Sequence, residues 1–195
     1  MAIDQVINYI NDNRQRYVDE LFELLRIPSV SAVSEHKDDV ARAAEFVAEQ
    51  FRSIGFKTEI HQTPGHPIVY AEFLPADAPT TILIYGHYDV QPVDPIELWR
   101  HPPFEPTIEG KNVVARGATD DKGQMFTHLK SAEAFVRAAG NPPIALKYVI
   151  EGEEEISSLH LRPFLEENRE RLAADVAVIR SEEHTSELQS HSDLV

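Results

Sequence analysis

Three short stretches of this sequence gather residue types that bind metal ions or move protons. They are Gly86-His87-Tyr88-Asp89, Ala118-Thr119-Asp120-Asp121-Lys122-Gly123 and Glu151-Gly152-Glu153-Glu154-Glu155. Imidazole and carboxylate donors without a thiol suit zinc, manganese or cobalt. His87 and Asp89 are two residues apart, so at a strand end their side chains leave on the same side. A metal-bound imidazole usually donates its other N–H to a carboxylate, a role open to Asp89. Two ions about 3.5–4 Å apart could share a carboxylate bridge and activate a water, with a free carboxylate beside that water as general base. Each stretch taken alone has a plainer reading. His87 and Asp89 could sit in a surface turn, Asp120 and Asp121 could cap a helix and face its dipole, and Glu153-Glu154-Glu155 could be a solvated acidic loop.

The surrounding pattern argues for convergence. Thr80–Tyr85 (TTILIY) and Ile144–Ile150 (IALKYVI) are apolar runs of the kind covered on both faces of a sheet, and each leads directly into one of the polar stretches. The third stretch opens a helix over 123–139, with Met125, Leu129, Ala132 and Phe135 inward and Gly140 as its stop. Ala174–Ile179 (ADVAVI) is a further apolar strand. Upstream, apolar residues from Ile3 to Leu25 trace one helical face ending before Pro28, and a second helix is expected from about Asp38 to Ser53. Short strands at Lys57–His61 and Ile68–Phe73 flank Pro64-Gly65. Residues 91–117 read as a long proline-rich loop, and Ser157 or Ser158 as the cap of a helix reaching about Arg171. Strands alternating with helices give an α/β fold, a three-layer sandwich around a mostly parallel sheet. Ligands in such sheets bind beyond the carboxyl ends of the strands, where the polar stretches fall.

Composition narrows the partners. The 195 residues include 33 acidic and 18 basic side chains, a formal charge of −15. No basic patch is available for nucleic acid or an anionic membrane. No apolar run approaches the roughly 20 residues of a membrane span, and the amino terminus does not read as a secretory signal. There is no cysteine, which fits a reducing, cytoplasmic setting.

The motifs G-H-Y-D-V-Q-P, W-R-H-P-P-F-E-P, A-R-G-A-T-D-D-K-G-Q and I-E-G-E-E-E-I, in this order, closely resemble the two-zinc exopeptidase family. It includes carnosinase-type cytosolic dipeptidases, aminoacylases, glutamate carboxypeptidases and acetylornithine and succinyl-diaminopimelate deacylases. The likeness runs over roughly residues 5–179, with 33 residues from His87 to Asp120 and 34 from Asp120 to Glu154. It implies that His87 ligates one metal, Asp120 bridges both, Glu155 ligates the other, Glu154 is the general base and Asp89 orients His87. It also implies a cis peptide bond between Asp120 and Asp121. The implied cofactors are two divalent ions, zinc first, with manganese or cobalt as alternatives. The implied reaction is hydrolysis of a dipeptide or related amide by a water activated between those ions. The substrate is a small peptide or an N-acyl amino acid, with wording closest to the dipeptidase branch.

Family members continue through a further aspartate ligand, a lid and dimerisation domain, and a late histidine ligand. Here the chain reads RSEEHTSELQSH and then SDLV, the first part resembling a translated sequencing adapter. Residues 1–179 are therefore read as the amino-terminal part of a catalytic domain and 180–195 as a non-native tail, with the lid, and any homodimer made through it, absent. His184, His191 and Asp193 receive no ligand role. The rival expectation is a truncated, non-catalytic fragment with at most one weak metal site. His61 and His66 are expected to be solvated, and His128 structural. Lys122 and Arg116 stand near the aspartate pair as possible counter-charges without a catalytic role.

Overall fold

The computed structural model of the protein describes residues 2–179. Two helices, α1 (Ala2–Asp12) and α2 (Arg14–Leu25), replace the single helix expected at the start. The break is Asn13. Its amide donates to Tyr9 O at 2.8 Å and its Oδ1 accepts from Arg16 Nε at 3.2 Å, the local competition with backbone bonding that makes asparagine a poor helix-interior residue. The expected inward face also divides: Val6 is buried, whereas Ile3, Ile7 and Ile10 stay exposed.

Helix α3 (Lys37–Ser53) and strands β1 (Lys57–His61) and β2 (Ile68–Phe73) follow, then β3 (Thr81–His87). The proline-rich stretch is not wholly irregular. It holds a small hairpin, β4 (Thr107–Glu109) with β5 (Asn112–Val114). Then come α4 (Lys122–Ala139), β6 (Ala145–Glu151), α5 (Leu161–Glu167) and β7 (Val176–Ile179). Helix α5 is shorter than expected at both ends, its cap position being His160.

The main sheet has the order β1-β2-β6-β3-β7. β3 runs parallel to β6 and to β7, while β2 is antiparallel to β6 and to β1. Four strands thus point one way and β2 alone is reversed. β3, α4 and β6 form a parallel unit whose helix returns the chain to the start of the next strand. Alternate residues face opposite layers. Val69, Ala71, Ile84, Leu146, Tyr148 and Ile150 pack with α3 and α4. Ile68, Tyr70 and Val149 pack with Phe164 of α5 and Leu172. This is the three-layer arrangement expected from the sequence. Every residue of β6 is buried, which explains its unbroken apolar reading.

Candidate metal centre

The carboxyl ends of β3 and β6 lie side by side, with His87 paired to Glu151 across the parallel ladder. The two strand ends therefore deliver Gly86–Asp89 and Glu151–Glu155 to one place, and the loop entering α4 adds Asp120. A ligand atom from each of His87, Asp120 and Glu155 lies within 4.8 Å of the others. These are the three residues given metal roles on the sequence. The Asp120–Asp121 bond is cis.

The geometry around His87 suits a ligand. Its ring is fully buried. Nδ1 donates to Asp89 O at 3.2 Å, because a carbonyl only accepts, and Nε2 is the ring nitrogen that faces the acidic side chains. Nε2 points to Asp120 Oδ1 at 3.1 Å and Glu154 Oε2 at 3.8 Å. The backbone N–H of His87 is held by Asp121 Oδ2 at 3.1 Å. Asp89, also fully buried, places Oδ1 3.2 Å from Nδ1. Its Oδ2 accepts from Ser31 Oγ at 2.6 Å and from the Glu155 N–H at 3.1 Å. Glu154 opens a single 3-10 turn over Glu154–Ile156, which turns it and Glu155 toward the strand ends. Gln91 Nε2 donates to Glu155 Oε2 at 2.6 Å.

The electrostatics are one-sided. Burial pushes the Asp121 carboxyl up to about 7, opposed by His87 and supported by Asp120 and Glu154. Burial likewise raises Glu155, with Asp120 and Asp89 adding to it against Gln91 and His87. Burial would lower His87, but the hydrogen bonds with Asp120 and Asp89 outweigh it and carry the imidazole to about 11. Carboxylates that resist ionisation around an imidazole that resists losing its proton mark a pocket short of positive charge. A divalent cation would supply that charge, and Asp121 Oδ1, buried and without a hydrogen-bond partner among the described residues, fits the same deficit. The donor set is the oxygen and nitrogen mixture that zinc, manganese and cobalt accept.

Not every expectation near the site holds. Lys122 is fully buried and turns away from the aspartates, donating to Leu24 O at 3.2 Å and Ile27 O at 2.6 Å. Arg116 lies over the Trp99 ring and bonds to Pro92 O. Neither balances the aspartate pair, because each cation is committed to carbonyl oxygens. His61 and His66 are only partly exposed. His61 sits edge-on to Phe164, and His66 donates from Nε2 to Ser31 O at 3.2 Å. Ser31 and His66 were missed on the sequence; both lie in stretches without periodicity, and nothing local signals that Ser31 reaches Asp89 or that His66 reaches Ser31. The expectations for residues 180–195 lie outside the described residues.

A family model described as Peptidase family M20/M25/M40 matches residues 83–192. The chain is 32% identical to the Cys-Gly metallodipeptidase dug1 of Schizosaccharomyces pombe over 185 residues, 89% of this chain and 39% of that protein. It is 36% identical to the succinyl-diaminopimelate desuccinylase of Xanthobacter autotrophicus over 137 residues, 68% of this chain and 34% of that one. The structure of human carnosine dipeptidase 1 superposes with a TM-score of 0.83 at 27% identity, covering 93% of this chain and 41% of the other. The chain thus spans about two fifths of the length of these relatives.

Proposed function

The chain belongs to peptidase family M20/M25/M40, and we propose that it carries the metal-binding half-site of a dipeptidase acting through two divalent ions. The observation that carries this reading is the convergence of His87, Asp120 and Glu155 at the ends of adjacent parallel strands. His87 and Glu155 would each hold one ion, and Asp120, between them, would be shared by both. Zinc is the first choice, with manganese or cobalt as alternatives. Bound there, the ions would polarise the scissile carbonyl and make water acidic enough to attack at neutral pH. Glu154, beside His87 Nε2, takes the proton of the attacking water and returns it to the leaving amine. Asp89 keeps the His87 proton on Nδ1 and so keeps Nε2 available.

We extend the proposal to the whole protein. The Cys-Gly and carnosine dipeptidase relatives support a dipeptide substrate. The desuccinylase relative supports an N-acyl amino acid as the other substrate class. The remaining ligands, an aspartate and a histidine, belong to sequence beyond residue 179, as does the lid through which a homodimer would form. The site of action proposed is the cytoplasm; among the described residues no helix is long and apolar enough to cross a membrane. We read residues 1–179 as native domain and 180–195 as foreign sequence, which resequencing of the source DNA across codon 180 tests directly.

A second reading concerns the 195-residue chain by itself. Among the described residues only one three-ligand group forms, so this polypeptide would hold one ion and turn over no peptide. Both readings meet one experiment. The chain and a version extended with the native continuation are loaded with Zn²⁺, Mn²⁺ or Co²⁺ and given Cys-Gly, β-Ala-His and an N-succinyl amino acid. The expected result is hydrolysis by the extended version alone, with Glu154→Gln lowering kcat by about 10²–10⁴ while metal still binds. Absence of metal-dependent hydrolysis in the extended version would overturn the first reading. Turnover by the chain alone would overturn the second.

A further inference from the structure

Glu153 stands next to two carboxylates that face the candidate metal centre, yet it faces away and is only 3% exposed. Its oxygens are fully engaged. Oε1 accepts the backbone N–H of His66 at 2.9 Å, and Oε2 accepts the backbone N–H of His160 at 3.2 Å and its ring Nδ1 at 2.8 Å. A side chain on Gly65 would land on Glu153 Oε1, so glycine is what allows this approach. From His66 the bonding continues. The ring donates to Ser31 O, Ser31 Oγ donates to Asp89 Oδ2, and that same oxygen accepts the Glu155 N–H. The circuit leaves the 153–155 turn through one residue and returns to it through another, passing the carboxylate that orients His87.

We propose that Glu153 is a positioning residue for the metal centre, setting Glu154, Glu155 and Asp89 through His66 and Ser31. This rests on the reading of His87, Asp120 and Glu155 as metal ligands. The placement of Glu153 favours a positioning role, because a buried carboxylate with backbone donors on both oxygens fixes its own main chain. That main chain is the one that aims the two following glutamates: Glu153 O accepts the N–H groups of Ile156 at 3.0 Å and Ser158 at 2.8 Å.

The test uses the full chain and Co²⁺, followed by visible absorption, with thermal melting measured alongside. Glu153→Gln keeps the shape but sets an NH₂ against a backbone N–H. Ser31→Ala cuts the same circuit at its far side, and His87→Ala is the reference. The expected result is that E153Q and S31A each weaken Co²⁺ binding by about 10–100-fold, as outer partners of metal ligands do, and shift the absorption bands of the bound ion. The double variant should lose less than the product of the singles, because they share one circuit. A purely structural role would lower the melting temperature and leave affinity and spectrum of the folded protein unchanged; that result overturns the proposal. If E153Q does not fold, S31A decides alone: weakened binding supports the circuit, and unchanged binding overturns it. Wild-type protein that binds no Co²⁺, or H87A that binds it as well as wild type, overturns the metal-centre reading and this proposal with it. Unchanged E153Q and S31A beside a defective H87A overturn the circuit alone.

Discussion

Two clusters of buried charge in this molecule obey different rules. Between α1, α2 and α4, Arg16 and Lys130 meet Glu20 and Glu133. Arg16 Nη2 lies 2.5 Å from Glu133, Lys130 Nζ lies 2.8 Å from the same carboxylate, and Lys130 also contacts Glu20. Two cations face two anions, and although burial raises the Glu133 pKa, Arg16 and Lys130 outweigh it and leave it lowered. At the sheet end, Asp89, Asp120, Asp121, Glu151, Glu154 and Glu155 gather near the imidazole of His87, and the nearby Lys122 ammonium is spent on the carbonyls of Leu24 and Ile27. There the perturbed carboxyls shift upward. A balanced cluster serves the fold by itself. An unbalanced one is stable only at a cost, and that cost fits the proposed role of the cluster in holding a cation.

The contrast can be broken or sharpened by substitution. The largest effect is expected at the centre: His87→Ala should reduce Co²⁺ or Zn²⁺ affinity by more than the about 10–100-fold that outer partners contribute, measured by calorimetric titration. If the melting temperature of the metal-free protein instead collapsed and affinity survived, the two clusters would be doing the same job. Glu133→Ala should do the opposite. It leaves Arg16 and Lys130 sharing Glu20 as their one remaining anion and costs about 3 kcal/mol, the lower end for a buried pair because Arg16 is 39% exposed and Glu20 remains. Urea denaturation reads this, and metal affinity should not change.

Smaller effects test the same division. Ser157 holds φ 81 directly after the metal-facing turn, a left-handed conformation that glycine adopts freely. Ser157→Gly should raise stability by about 1 kcal/mol in chemical denaturation. Glu151→Gln should raise the melting temperature by a few degrees at neutral pH. Burial raises the Glu151 pKa against the hydrogen bonds from Tyr85 and Ser158, so the native state holds that proton more tightly than the unfolded chain. Wild-type stability therefore falls as pH rises from the ordinary carboxyl range of about 4.3 through the raised native value. Both hydrogen bonds end on one oxygen, Oε1, which glutamine retains. The advantage of E151Q should therefore vanish in melts below about pH 4.

The edges of the sheet make a quieter comparison. β1 carries Lys57, Glu59 and His61 along one edge, while β7 offers Val-Ala-Val-Ile as the last strand among the described residues, with Val176 48% and Ile179 60% exposed. Charge protects the first edge from further pairing and nothing in the second does. Val176→Lys should increase the soluble fraction of the isolated chain, measured by sedimentation after expression; no change would show that pairing at β7 does not limit solubility.

Much of this was legible beforehand. Strand and helix positions follow from hydrophobic period, and β1 and β2 fall on the residues where alternation and the Pro64-Gly65 turn put them. The three polar stretches holding His87, Asp120 and Glu153-Glu154-Glu155 were readable as strand ends and a helix start, which an α/β sheet sends to one side; the separate ligand roles of His87, Asp120 and Glu155 came from the family resemblance alone. The small hairpin at 107–114 escaped because three-residue strands carry too little pattern to register.

What only the tertiary structure decided is direction. Glu153, Glu154 and Glu155 are the same residue three times over, and no local property separates them. Glu153 turns inward because the His66 backbone, 87 residues away in sequence, reaches its carboxylate. Lys122 leaves its neighbouring aspartates because the carbonyls of Leu24, in the last turn of α2, and of Ile27, just past it and 95 residues upstream, accept from its ammonium. The sequence by itself determined which groups arrive at the sheet edge, since that depends on short-range periodicity and turn chemistry. Which way each group faces, and the shortage of positive charge that results, were set by hydrogen-bond partners brought together only by folding.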